Sequence, residues 1–305
     1  MEYALYTCRF VQFASAIVLF GSSAFRFYAL GGGAVRTGAV MEFDRWLRRV
    51  TLVSAILALG SALTLLLCQS AIMAGAPTAA LDPATVSAVL FETRFGRVWS
   101  WHVLIAAILV AACLCQPARR QKIVLILSLL LLASLAWIGH AAMAEGFAGI
   151  THELNQTAHL LAGGLWLGGL LPLGWFLRRA QARHDEPGFA LTRDAIRHFS
   201  QMGYVAVAVV GLTGAINNLL LVGSLGAFVE TPYGRLLTLK ILLFLAMVIV
   251  ALVNRFHLAP RVCRDPAAIG ALCRAVYLEQ GLGLCILVVV SILGTWPPAI
   301  YGGGH

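Results

Sequence analysis

Long apolar runs alternate with short polar breaks, and the rhythm repeats eight times along the chain. The runs lie at approximately residues 4–30, 50–74, 97–116, 122–143, 152–177, 200–224, 235–257 and 275–295. Each is long enough to cross a hydrocarbon core as a helix, which takes ~20 apolar residues. The runs are continuous rather than alternating in polarity, which argues against a β-barrel. The expected fold is therefore all-α: a polytopic integral membrane protein of eight transmembrane helices, forming a single membrane domain over residues 1–305.

Composition agrees. Hydrophobic residues make up 60% of the 305, charged residues 11%, and mean hydropathy is +0.86; a soluble domain carries about a quarter charged residues. The net charge of +9 changes the picture only through its placement. Arg36, Arg45, Arg48 and Arg49 follow the first run, and Arg119, Arg120 and Lys122 the third. Arg178, Arg179, Arg183, Arg193 and Arg197 follow the fifth, and Arg255, Arg261, Arg264 and Arg274 the seventh. The opposite breaks hold few basic residues, among them Arg94, Arg97 and Arg235. Basic loops stay in the cytoplasm, so both termini are expected outside, in the periplasm of a bacterium. No contiguous basic surface exists to hold nucleic acid.

The breaks carry little else. Only Glu2 is charged before the first run, so the basic start of a cleavable signal peptide is missing. The seven cysteines fall in or beside apolar runs and suggest no disulfide framework. "DPATVSAVLFETRFG" predicts a short surface helix capped by Asp82, with Pro83 at its first position. "RRAQARHDEPGFALTRDAIRHF" reads as a solvated connector with a short amphipathic helix.

The candidate chemistry lies in the histidines of the outer half. His102, His140 and His159 fall at similar depth on three consecutive spans. Ionisable side chains inside a span are costly and face the protein interior or a water path, so the three are a candidate ligand set, although a lone intramembrane His more often serves as a hydrogen-bonding residue. His152 and His159 are seven apart, on one helical face but ~10.5 Å apart along it, so they read as successive stations. His140 and Met143 are three apart, and a thioether beside an imidazole suits copper; Cys68 and Met73 are further soft donors. Gly164 and Gly168 form a small-xxx-small pair for close helix packing, with Trp166 as a floor to the site or as core. Glu279 is within reach of Arg255 or Asn254, and we read Arg255–Glu279 as a structural pair. Cys113 and Cys115 point ~200° apart on a helix and read as structural thiols. No soluble-enzyme motif is present, and we expect no catalysis.

"GHAAMAEGFAGITHELNQTAHLLAGGLWLGGLLPL", "TPYGRLLTLKILLFLAMVIVALVNRFHLAPR" and "LEQGLGLCILVVVSILGTWPPA" resemble the bacterial copper-resistance protein D (CopD) family. The pattern His159, Trp166, Gly168, Gly169 joins Tyr233, Gly234, Lys240, Asn254, Arg255 and a Pro-Pro ending. The resemblance is strongest over 94–299. It divides the domain into residues 1–96, the first two spans and their periplasmic connector, and a CopD-like core over 97–299. It implies transport of copper, as Cu(I) or Cu(II), across the inner membrane into the cytoplasm. It also implies work beside a periplasmic copper-binding protein of the CopC type, and leaves a homo-oligomer open. Two other readings stand. Facing intramembrane histidines hold haem in membrane cytochromes, and a non-transporting membrane protein could hand copper to a periplasmic partner.

Overall fold

A computed structural model describes residues 2–30, 38–115, 120–138, 146–183, 186–222, 224 and 226–298. The α-helices are α1 (Glu2–Tyr28), α2 (Gly38–Ala74), α3 (Pro83–Glu92), α4 (Arg94–Cys115), α5 (Arg120–Ser134) and α6 (Gly146–Arg183). They continue with α7 (Glu186–Val222), α8 (Ala227–Glu230), α9 (Pro232–Val253), α10 (Ala259–Arg264) and α11 (Ile269–Leu293). No strand occurs among the described residues. Among the described residues eight helices are long and apolar enough to span a bilayer, matching the eight runs.

Trp296 Nε1 donates to Tyr6 Oη at 3.4 Å, so the start of α1 and the end of α11 share one end of the bundle. We call it the outer end; α3 lies there too. Whether it faces the periplasm rests on the charge argument above.

Two helices organise the rest. α6 is the most enclosed span, with 61% of its most apolar window buried, against 11% for α9. α1 packs against α2, α5, α6 and α11, while α6 also packs against α7 and α11. The α1–α6 crossing is made by glycines. A Cβ on Gly21 would fall on the Gly164 carbonyl and Gly168 backbone, and one on Gly168 would fall on the Ile17 carbonyl. Backbones this close gain dispersion contacts that larger residues would forbid, the main attraction between helices in lipid. α2, α4 and α5 flank the crossing on one side and α7, α9 and α11 on the other.

The inner end is tied by charge. Arg26 Nε donates to Asp44 at 2.8 Å, and Arg179 and Arg183 both bind Glu42 at 2.9 Å. Arg179 and Arg183 belong to the stretch read as a connector, and here the structure differs. α6 runs through Arg183 and α7 starts at Glu186. At 1.5 Å per residue the 38 residues of α6 make ~57 Å, well beyond a ~30 Å core. The polar stretch is the end of α6 and the start of α7, and the expected amphipathic helix is there, with Phe189, Ala195, Ile196 and Phe199 buried on α7 and Asp194 and Arg197 exposed.

The surface helix forms as its sequence directs. Asp82 caps α3 by accepting from the Ala84 and Thr85 amides at 3.4 and 3.0 Å, with Pro83 at the first position. The Thr85 hydroxyl also donates to Asp82, and these bonds hold its carboxyl below the usual range. A depressed carboxyl stabilises the fold above its ordinary range and loses that effect as pH falls through the folded value. Asp82→Ala should therefore speed amide exchange at Thr85 near neutral pH, and the difference from wild type should vanish in strong acid.

Candidate functional site

Of the histidines expected to converge, His102 and His159 are described, and they lie on opposite flanks of the α1–α6 crossing with different partners. His102, on α4, is fully buried. Its Nε2 meets Gln12 Nε2 at 2.8 Å and its Nδ1 meets Ser134 Oγ at 2.7 Å. Ser61 donates to Gln12 Oε1 at 2.6 Å, and Trp99 stacks on the imidazole with centroids 4.6 Å apart. The amide N–H makes Nε2 an acceptor, so Nδ1 carries the proton given to Ser134. Both ring nitrogens are engaged, and in this structure His102 ties together the α1–α2–α4–α5 flank. His102→Leu should lower thermal stability in detergent by about 1–2 kcal/mol, by leaving the buried Gln12 N–H₂ without its acceptor while Ser134 keeps its bond to the Leu131 carbonyl, and leave copper retention intact. Lost copper retention in a folded variant would place His102 in the site.

His159 lies on the other flank and is arranged differently. Thr213 of α7 commits its hydroxyl to the Val209 carbonyl, so its oxygen accepts from His159 Nδ1 at 3.0 Å. The Val210 carbonyl neighbours the same ring. The proton is thus fixed on Nδ1, and Nε2 keeps a lone pair with no hydrogen-bond partner among the described residues. Histidines that hold metals are oriented in this way, by giving their other N–H to a protein acceptor.

His159 lines a cavity of about 320 Å³ between α1, α6, α7, α9 and α11. Its polar wall is Gln156, His159, Asn218 and Lys240, and Met247 adds a thioether. A second cavity of about 240 Å³ lies toward the inner end, walled by Ser200, Tyr204, Asn254, Arg255 and Glu279. Trp166 lines both. Both lie between α7, which packs on α6, and α9, which packs on α11.

The α6–α7 contact above His159 is a polar ladder. Asn155 Nδ2 donates to the Thr213 carbonyl at 3.0 Å and to Asn217 Oδ1 at 2.8 Å, and Asn217 Nδ2 donates to Gln156 Oε1 at 2.7 Å. His152 is buried within reach of Asn217, and Glu153 pairs with Arg94 of α4. So His152 and His159 occupy successive levels of α6, both toward α7. Gly164 and Gly168 face α1 instead and do not bring a helix onto His159.

Trp166 is 3% exposed, and its Nε1 donates to Glu279 Oε1 at 2.7 Å. The partner of Glu279 on the seventh span is Asn254, whose Nδ2 donates to Oε2 at 2.9 Å. Arg255 turns away to Tyr204, with Nε 3.0 Å from the hydroxyl and the guanidinium 4.5 Å from the ring centroid. The expected Arg255–Glu279 pair is therefore not formed. The cause is local: Pro260 cannot donate to the carbonyl one turn back, and the chain widens into a π turn over Asn254–Leu258, rotating Asn254 rather than Arg255 inward.

His140 and Met143 lie outside the described residues. Cys68 of α2 is near enough to Cys8 of α1 for the two thiols to interact, while Met73 is half exposed. Cys113 is buried and Cys115 exposed, so they point apart. Among the described residues no three His, Cys, Asp or Glu side chains converge on one point. Composition gave no signal for Met247; its seven-residue spacing from Lys240 was the legible hint that both share one face.

Two family models match the chain: Copper resistance protein D-like, N-terminal domain, over residues 1–150, and Copper resistance protein D over residues 193–293. The chain is 31% identical over 291 residues to "Inner membrane protein YebZ" of Escherichia coli (strain K12), covering 95% of this chain and 97% of that protein. It is 31% identical over 305 residues to "Copper resistance protein D" of Pseudomonas syringae pv. tomato, covering 97% of each. It is 29% identical over 262 residues to "Copper transport protein CutJ" of Bacillus subtilis (strain 168), covering 82% of this chain and 46% of that protein. No solved structure matches it significantly.

Proposed function

Since the chain belongs to the copper resistance protein D family and is a multi-pass inner-membrane protein, we propose that it carries copper across that membrane into the cytoplasm, with His159 as the intramembrane ligand. The observation that carries this reading is the His159 imidazole: its proton is anchored on Thr213 and its free Nε2 belongs to a side chain lining a cavity. His152 is the station nearer the outer end, and His140 and Met143 are further donors at that end. Met247 and Asn218 line the same cavity and are the proposed soft and oxygen donors. Imidazole accepts either oxidation state of copper, while a thioether favours Cu(I).

Lys240 limits how tightly the cavity can hold a cation. When Lys240 carries its proton it repels a cation in the same cavity, and the low dielectric strengthens that repulsion. A transport site has to release its cargo, and weak holding serves release. Inward movement is aided by ~2.3 kcal/mol per charge per 100 mV of membrane potential. A CopC-type periplasmic protein is the proposed donor, and no catalytic step is invoked.

Copper uptake into proteoliposomes of the purified chain tests the reading. Uptake that rises with an inside-negative potential is expected. Copper bound but never moved inward would make the protein a membrane carrier that hands copper on outside. Haem held by intramembrane histidines is the alternative reading; His102 and His159 lie on opposite flanks with other partners, and a Soret band in the purified protein would favour haem over copper transport.

A further inference from the structure

Two carboxylates are buried within spans among the described residues, and Glu153 has Arg94 as its counter-charge while Glu279 has none. Glu279 is 2% exposed. Its two partners, Trp166 Nε1 and Asn254 Nδ2, are neutral donors. The titratable groups sharing its cavity are Tyr204 from α7 and Arg255 from the π turn, and these bind each other. α6 contributes none to that wall, α11 only Glu279 itself, and α1 does not line it. A carboxylate buried without a counter-charge is costly, and protonation removes the cost.

The protonated form has an acceptor waiting. Asn254 is 8% exposed, and its Oδ1 is buried with no hydrogen-bond partner. A side-chain amide presents N–H₂ to a carboxylate and, turned by 180°, presents its oxygen to a carboxylic acid O–H. Asn254 can therefore serve both states of Glu279. It sits at the first residue of the π turn, a widening often found at functional sites. Trp166 links this pair to the outer cavity, because its ring lines both cavities while its N–H binds Glu279.

We infer that Glu279 is a proton-binding site that couples copper movement to protons moving in the same direction. Asn254 follows its protonation, and Trp166 relays it to the His159 cavity. The inference rests on the copper-transport reading above. The two stations lie in separate cavities, so proton and copper can be bound together, which favours co-transport over exchange. When a proton adds to Glu279 the carboxylate becomes a neutral acid. The Trp166 N–H then loses a charged acceptor, and such bonds are about twice as strong as neutral ones. That frees the ring between the cavities. The proton leaves toward the inner end and restores the bond.

The test uses full-length protein in proteoliposomes with a pH dye inside and the potential clamped. Copper added outside should acidify the lumen as it enters. Glu279→Gln, neutral and still able to bind Trp166, should move copper with its proton flux at least tenfold lower. Copper uptake with no proton flux, with opposite flux, or with flux retained in Glu279→Gln overturns the coupling and leaves the copper reading standing. If wild-type protein moves no copper, the copper reading fails, and infrared spectra test the proton site alone. A carboxylic-acid band should appear with falling pH and be missing in Glu279→Gln. Asn254→Leu keeps the carboxyl and removes the amide, and should move the midpoint of that band; an unmoved midpoint overturns the part given to Asn254. If Glu279→Gln does not fold, wild type against Asn254→Leu decides by the same band, and a band without pH dependence overturns the site.

Discussion

His159→Ala should reduce copper uptake into proteoliposomes by more than tenfold while thermal stability in detergent stays near wild type. The imidazole is partly exposed to its cavity and is held by α7 alone, through Thr213 and the Val210 carbonyl, so its loss unpacks little. The sharper companion is Thr213→Val. The change preserves shape but removes the oxygen that anchors Nδ1–H. Losing an orienting partner of a metal-bound His costs ~10–100-fold in affinity, and about tenfold is expected here because the Val210 carbonyl can partly replace the hydroxyl. Thr213→Ser restores the acceptor and should restore uptake. Normal uptake by His159→Ala would remove this residue from the path. Loss in His159→Ala with Thr213→Val unchanged would keep the ligand but discard the fixed tautomer.

Gly168→Leu should abolish recovery of folded, monodisperse protein. The added side chain starts where the Ile17 carbonyl of α1 already lies, and Gly21 Cα is 2.9 Å from the new Cβ position. Neither obstacle is a flexible side-chain end, so the two central helices would have to separate. Overpacking typically costs ~1–3 kcal/mol, and a backbone obstacle at the bundle centre falls at or above the upper end. Gly168→Ala should already lower the melting temperature. Gly163→Ala is the control, because nothing lies within 4 Å of its Cβ position and alanine is the better helix former; it should be neutral or stabilising. A Gly168→Leu protein of wild-type stability would mean that α1 and α6 do not cross here.

The eight spans and the Asp82–Pro83 start of α3 were legible because each depends on residues close in sequence. In the stretch 178–199 the amphipathic helix was legible from its apolar spacing, but the continuation of α6 through Arg183 was not, because charges look the same on a helix end as in a solvated loop. Arg179 and Arg183 find Glu42 more than 130 residues away, and no local pattern announces that pairing. His102 and His159 looked equivalent by depth. What separates them is partner choice: Gln12 and Ser134 close both nitrogens of one, and Thr213 closes a single nitrogen of the other. Reach from the seventh span to Glu279 was legible, but the choice between Asn254 and Arg255 was set by the rotation that Pro260 imposes.

The α1–α6 crossing also determines where this protein can bend. With no side chains between the two backbones, there is no slack for one to slide on the other, so they act as a fixed spine. α7 and α9 are attached to different neighbours, and the cavities lie along the boundary between them. On the proposed transport reading, turning His159 from one side of the membrane to the other would amount to working a single seam, zipped at one end while it parts at the other, rather than rocking two rigid halves about a common axis.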